Sequence, residues 1–335
     1  MSEKNDFKIR VLLNFLEKLM LFSFLRFNQF LVVIFLFLLY FPFQSCFSQD
    51  FKINLLQGCS EKNEKYPEPP YFVKFEKKKK KLLYIAARHE IGTNNQTAKL
   101  IRQVFIDYHP KIVIIEGFQP NSVNEALEEE IKSCQPKNFK DCGESILSGY
   151  LAKKNGAHIV TGEPSDQIIF DELLKKGYSA EDYLGFYLLR QIPQWKREHK
   201  IDNNLEWISN LFLKTCLENV KEEGNFDFER FKIWHKDKMN YPFTLDKHNE
   251  HTVAPKSHLF MHNLWLTIER IREENILKTI EKAISQHDIV LIVYGASHFT
   301  VEKNVLTHFF GSPEVTIGPS DRATTRHYGY DEELD

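Results

Sequence analysis

From residue 82 onward the chain alternates short apolar runs with stretches whose apolar residues recur at helical spacing, a pattern that predicts an α/β fold. Residues 82–87 read as a buried strand, 94–108 as a helix, and 111–117, with Ile112, Val113, Ile114 and Ile115, as the clearest strand in the chain. Strand, helix and strand in about 35 residues predict a parallel unit with a right-handed crossover. A helix at 145–154, a third strand at 157–162 and helices at 166–176 and 180–190 follow, the last with Ser179 as its N-cap. Residues 191–262 are rich in charge and aromatics, and Trp195, Trp207, Trp234, Pro242 and Pro255 interrupt any long period, so this stretch reads as a mostly helical insertion. Order returns with a helix at 262–286, a strand at 289–294, a last helix at about 301–309 and an acidic tail at 331–335. The expected architecture is one α/β domain over 82–311, a mainly parallel central sheet flanked by helices with a largely helical insertion at about 191–262, followed by a tail over 312–335.

The N-terminal pattern is different. Residues 30–43 are an uncharged run of 14, preceded by Arg26 and followed by Cys46-Phe47-Ser48, which puts small residues at the minus-three and minus-one positions of a cleavage after Ser48. That layout predicts a signal peptide over 1–48. The segment ahead of the run is long and amphipathic for such a signal, and a start at Met20 would restore the normal layout with Arg26 as its charge. An uncleaved N-terminal anchor is the alternative, since extending the run from Phe27 to Phe47 approaches the roughly 20 residues a spanning helix needs. A lipidated Cys46 is a further one. The expected location is outside the cytoplasm, periplasmic or extracellular, with any membrane association made through the N-terminus. Residues 49–81 combine Pro67, Pro69 and Pro70 with lysines at 77–81 and no sustained periodicity, and they read as a linker or surface arm.

Composition narrows the function. A chain of 335 residues, 42% apolar and 13% aromatic, can bury a substantial core. A formal charge of -2 argues against a nucleic-acid partner, because affinity for phosphates comes from clustered Lys and Arg. Cleavage after Ser48 would leave Cys59, Cys134, Cys142 and Cys216, among which Cys134 with Cys142 is favoured on separation alone; four unpaired thiols are the alternative. There is no Cys-x-x-Cys, no G-x-x-x-x-G-K, no G-x-G-x-x-G and no G-x-S-x-G, which disfavours zinc ribbons, phosphate loops and the usual serine hydrolases.

The candidate chemistry lies at the strand ends, where open parallel sheets form their ligand crevice. The first predicted strand runs into Arg88-His89-Glu90, the second into Glu116-Gly117, the third into Gly162-Glu163-Pro164 and the last into Gly295-Ala296-Ser297-His298. One polar residue past a strand is commonplace, but four strands delivering His or Glu beside glycines point to a shared centre. Two imidazoles and two carboxylates suit a divalent ion such as Zn, Mn, Fe or Co, making His89, Glu116, Glu163 and His298 candidate ligands and Glu90, Glu116 or Glu163 a candidate general base. The same groups suit metal-free acid–base work, and spacing leaves both readings open. His248 with His251 and His258 with His262 read as structural or surface residues, since no H-E-x-x-H occurs.

The segments Leu83-Tyr84-Ile85-Ala86-Ala87-Arg88-His89, Ile114-Ile115-Glu116-Gly117, Gly162-Glu163-Pro164 and Tyr294-Gly295-Ala296-Ser297-His298-Phe299 resemble the TraB and Tiki (GumN-like) superfamily, with its two Gly-x-x-His motifs and intervening glutamates. Erythromycin esterase-like hydrolases and ChaN-like haem-binding lipoproteins belong to the same group. Arg272-Glu273-Glu274-Asn275 resembles the Arg-x-x-Asn segment of these families, and the first motif departs from the pattern in having Ala86 for Gly. The resemblance implies metal or catalytic roles for His89, His298, Glu116 and Glu163, and an orienting role for Arg272. It implies an exported metal-dependent hydrolase of a peptide, ester or amide bond, acting on a peptide or small molecule. Two other expectations stand beside it: a non-enzymatic envelope protein carrying haem or another small ligand, and a scaffold in which the four residues only tie loops together.

Overall fold

The computed structural model of the chain describes residues 51–56, 67–120, 122–200, 204–245, 259–317 and 325–327. The expected signal peptide, the start at Met20, Cys46, Cys59, His248, His251, His258 and the acidic tail lie outside them. Among the described residues no helix is long and apolar enough to cross a membrane.

The fold is α/β. Among the described residues seven strands form one sheet: β1 (Tyr71–Lys77), β2 (Lys80–Ala87), β3 (Ile112–Ile115), β4 (His158–Thr161), β5 (Ile289–Gly295), β6 (Glu314–Ile317) and β7 (Thr325–His327), in spatial order β4-β3-β5-β2-β1-β6-β7. The first four in that order are parallel and the other three extend the sheet antiparallel. The parallel strands are covered on both faces, which is why they read as unbroken apolar runs. On one face Leu83, Ile85, Val113, Ile115, Leu291 and Val293 meet helices α1 (Gln96–Tyr108), α2 (Val123–Cys134) and α3 (Glu144–Lys154). On the other, Leu82, Tyr84, Ile114, Ile292 and Tyr294 meet two helices from late in the chain.

Between β4 and β5 come α4 (Asp166–Lys175), α5 (Ala180–Arg197), α6 (Leu205–Asn219), α7 (Phe228–Met239) and α8 (Leu259–Gln286), and α9 (Ala296–Phe310) follows β5. The insertion is mostly helical as expected, and α4 to α7 have an aromatic-rich core of their own around Tyr183, Phe186, Phe231 and Trp234. Ser179 caps α5 in a reciprocal box with Asp182, its hydroxyl accepting from the Asp182 N–H at 3.2 Å. Helix α8 joins two cores: Leu264, Ile268 and Ile271 pack in the helical layer, whereas Ile276, Leu277 and Ile280 pack on the sheet.

Several expectations need correction. Residues 71–81 are not an arm: Tyr71–Lys77 is an interior strand, and the lysine run is the β1–β2 hairpin, with Lys77 paired to Lys80 and Lys78 at φ 59°. The turn hides from a sequence reading because it lacks the Asn or Gly that usually supplies a positive φ. The domain also reaches back to the buried Phe51 and forward into the expected tail, where β6 pairs with β1. Helix α2 was not expected, and α9 starts at Ala296 rather than near 301, so His298 lies in its first turn rather than in a loop. Cys134 and Cys142 are disulfide-bonded, and Cys216 is a buried free thiol.

Candidate active site

The order of the strands decides where the site falls. Strand β5 sits between β2 and β3, yet its outgoing helix α9 packs on one face while the helices that follow β2 and β3 pack on the other. The C-terminal end of β5 is therefore flanked by topological switch points, where the chain parts and leaves a crevice. Ala87 pairs with Gly295, and Ile115 pairs with Val293 two residues earlier on β5, so the chain segments carrying His89, Glu116 and His298 leave three adjacent strands at the same edge.

Glu116 is the hub. Its Oε2 accepts from the Gly295 backbone N–H at 2.8 Å, its Oε1 lies 3.3 Å from Nε2 of His298, and its Oε2 lies 3.9 Å from Nε2 of His89. Burial raises the Glu116 pKa, but the bond and charge of His298, the Gly295 N–H and the charge of His89 outweigh it and bring it down to about 2. Glycine at 295 is what lets these groups meet: a Cβ there would stand 2.6 Å from His89 Nε2 and 3.5 Å from Glu116 Oε2.

Each histidine is backed by a glutamate that the sequence reading did not single out. His298, 5% exposed, donates from Nδ1 to Oε1 of Glu273 at 2.7 Å. His89, with 62% of its side chain exposed, donates from Nδ1 to Oε1 of Glu144 at 2.6 Å. Both rings therefore turn Nε2 toward Glu116. Burial lowers the His298 pKa, yet Glu273 and Glu116 together lift it well above the usual histidine range. The Glu144 hydrogen bond raises that of His89 against a smaller opposing effect of burial. Glu144 opens α3, where a negative charge also suits the helix dipole.

Glu163 is held by Arg272, whose Nε and Nη2 donate to its two oxygens at 2.9 Å each, while Nη1 of Arg272 donates to Glu269 at 2.9 Å. Asn275, one turn on, donates to the Gly162 carbonyl at 2.7 Å, and the Tyr294 hydroxyl accepts from the Gly162 N–H at 2.9 Å. The Arg-x-x-Asn segment of α8 thus fixes the end of β4. One donor atom each from Glu116, Glu163 and His298 lie within 4.8 Å of one another, and His89 is not part of that set. Beside Glu116 and Glu144 a cavity of about 310 Å³ opens, with Phe118 and Ile146 among its walls.

The remaining candidates fall outside. No described hydrogen bond or ion pair joins the Glu90 side chain to the cluster; its backbone carbonyl accepts from Asn95 at 3.3 Å. Arg88 turns away to pair with Glu68 at 3.1 Å. His262 stacks on Trp265 with ring centroids 6.3 Å apart.

Glu144 gave no signal in the sequence, standing at the start of an ordinary helix. Glu273 did, because it occupies a stripe position three, four and seven residues before the buried Ile276, Leu277 and Ile280. A carboxylate where the helical period demands an apolar residue needs a partner. No family model matches this chain, and neither do curated proteins or solved structures at a significant level.

Proposed function

We propose that the cluster is a divalent-metal centre and that the protein is an exported hydrolase of the TraB and Tiki kind, cutting a peptide, ester or amide bond. The observation that carries this reading is the paired arrangement of the histidines: each Nδ1–H is committed to a glutamate and each Nε2 faces one ionised carboxylate. Carboxylate-backed imidazoles with a fixed tautomer are the usual supports of metal-binding histidines. The donors fit as well, since His298, Glu116 and Glu163 offer one nitrogen and two oxygens from converging elements. Three protein ligands leave a position for substrate or water.

In this reading His298, Glu116 and Glu163 would hold the ion, and Arg272 keeps the Glu163 carboxylate in one plane. A bound divalent ion would supply Lewis acidity toward a scissile carbonyl and toward water. His89, the solvent-facing member, moves the proton: Glu144 fixes its Nδ1–H, leaving Nε2 to take or return a proton beside the reacting atoms. The cavity lined by Phe118 and Ile146 would take an apolar group of the substrate. Export is supported by the Cys134–Cys142 bridge, a bond that persists in oxidising compartments. A haem site is not favoured, because the deeper histidine is buried behind carboxylates that a macrocycle would have to displace.

The test is elemental analysis after reconstitution with Zn, Mn, Fe or Co. Stoichiometric metal in the wild type, lost in Glu116→Gln and His298→Ala and kept in His89→Ala, is expected. A wild-type protein that retains none of these ions would sink the reading.

A further inference from the structure

Behind His298, four buried oxygens have no hydrogen-bond partner outside their own group: Oη of Tyr84, both carboxylate oxygens of Glu302, and Oε2 of Glu273. They belong to neighbouring side chains from β2, α9 and α8, for Tyr84 and Glu273 both interact with Glu302. Glu302 is 0% exposed and Glu273 is 2% exposed. With no proton among the two carboxyl groups, these oxygens would face one another without enough donors, a costly arrangement out of water.

One proton satisfies all four. If Glu302 carries it, its O–H donates to Oε2 of Glu273, and its carbonyl oxygen accepts from the Tyr84 hydroxyl. Glu273 is then a carboxylate with both oxygens engaged, Oε1 on the His298 Nδ1–H and Oε2 on Glu302. We propose that Glu302 is a neutral carboxylic acid and a positioning residue, linking Tyr84 through Glu273 to His298 and so fixing the tautomer and tilt of that imidazole. The groups facing Glu302 agree with this assignment. Burial first, and then the charge of Glu273, drive its carboxyl well above the usual carboxylate range, which His298 and Tyr84 oppose only in part. Two adjacent carboxylates out of water cannot both ionise, and Glu273 already accepts the His298 Nδ1–H, so the proton falls to Glu302. The relay depends on packing around His298 alone and stands whether or not the cluster takes an ion. Its failure is therefore distinguishable from failure of the metal reading.

Infrared spectroscopy of the full chain at neutral pH tests it directly. The wild type should show the carbonyl stretch of an un-ionised carboxylic acid, shifted in D2O, and Glu302→Gln should lack it. Glu302→Gln keeps one donor and one acceptor, so it should fold and retain the downfield His298 Nδ1 proton in NMR spectra. Glu302→Leu should lose or shift that proton signal, which a merely space-filling Glu302 would leave in place. Absence of the acid band in the wild type, or its persistence in Glu302→Gln, would overturn the proposal.

Discussion

The two histidines of the cluster make the same pair of contacts in opposite surroundings. His298 lies in the first turn of α9, almost sealed, with Glu273 equally buried behind it; His89 follows β2 in a loop, largely open to water, with Glu144 behind it. A carboxylate–imidazole contact of nearly equal length, 2.7 and 2.6 Å, therefore has very different consequences. The buried pair is part of what the fold must satisfy, because a charge left alone there has no water to turn to. In the open pair the imidazole keeps 62% of its side chain in water although Glu144 keeps only 10%, so solvent takes over the imidazole's part far more readily than at His298. One half of the site is built into the core and the other is laid on its surface.

The largest effect should come from breaking the buried half. Glu273→Leu leaves His298 without its principal partner and should cost about 3–5 kcal/mol, read from urea unfolding. A loss under about 1 kcal/mol would put the two pairs on equal terms and end the distinction.

The acid limb comes next. The Glu116 pKa is depressed from its ordinary value of 4.5 to about 2, so its contribution is present above 4.5 and lost as pH falls through about 2. In chelator-treated protein that linkage is worth about 3 kcal/mol, lost over that window. The corresponding pH dependence should be missing in Glu116→Gln. His298 has the opposite sign: with its pKa raised, its contribution is present at low pH and lost as pH rises through the folded-state value. A wild-type stability curve as flat below pH 4.5 as that of Glu116→Gln would show that the hub carries no such load.

The smallest effect on stability belongs to the open half. His89→Ala should change unfolding free energy by no more than about 0.5 kcal/mol, the range of ordinary surface substitutions. If the proposed hydrolase reading holds, the same variant should lose turnover of the substrate while keeping the metal. A destabilisation as large as that of Glu273→Leu would mean that the loop carrying His89 is part of the core.

The parallel half of the sheet was legible from the chain because strands covered on both faces spell themselves out as Ile112 to Ile115 or Val290 to Val293. The positions of Glu116, Glu163 and His298 followed, since parallel strands end on one edge. The antiparallel half was not legible. Tyr71, Val73 and Phe75 are interleaved with Phe72, Lys74 and Glu76, and β6 is four residues long. Glu144 and the disposition of Arg272 toward Glu163 depend on which helices lie beside which strands, and no local pattern carries that information. Glu273 and Glu302 stood in view as charges on apolar stripes, and their meaning emerged only with the imidazole between them and Glu116.

Helix α8 passes from the core of the helical layer to the core of the sheet, and Arg272, Glu273 and Asn275 occupy the seam between Ile271 and Ile276. Each residue of an α-helix turns the chain by about 100°. A single insertion or deletion inside that seam would rotate one core against the other and swing the guanidinium, carboxylate and amide off β4 and His298 together. Drift in α4 to α7 is cheap by comparison, since no described hydrogen bond or ion pair ties their side chains to His89, Glu116, Glu163 or His298. Over evolutionary time the seam of α8 should tolerate changed letters far better than a changed length.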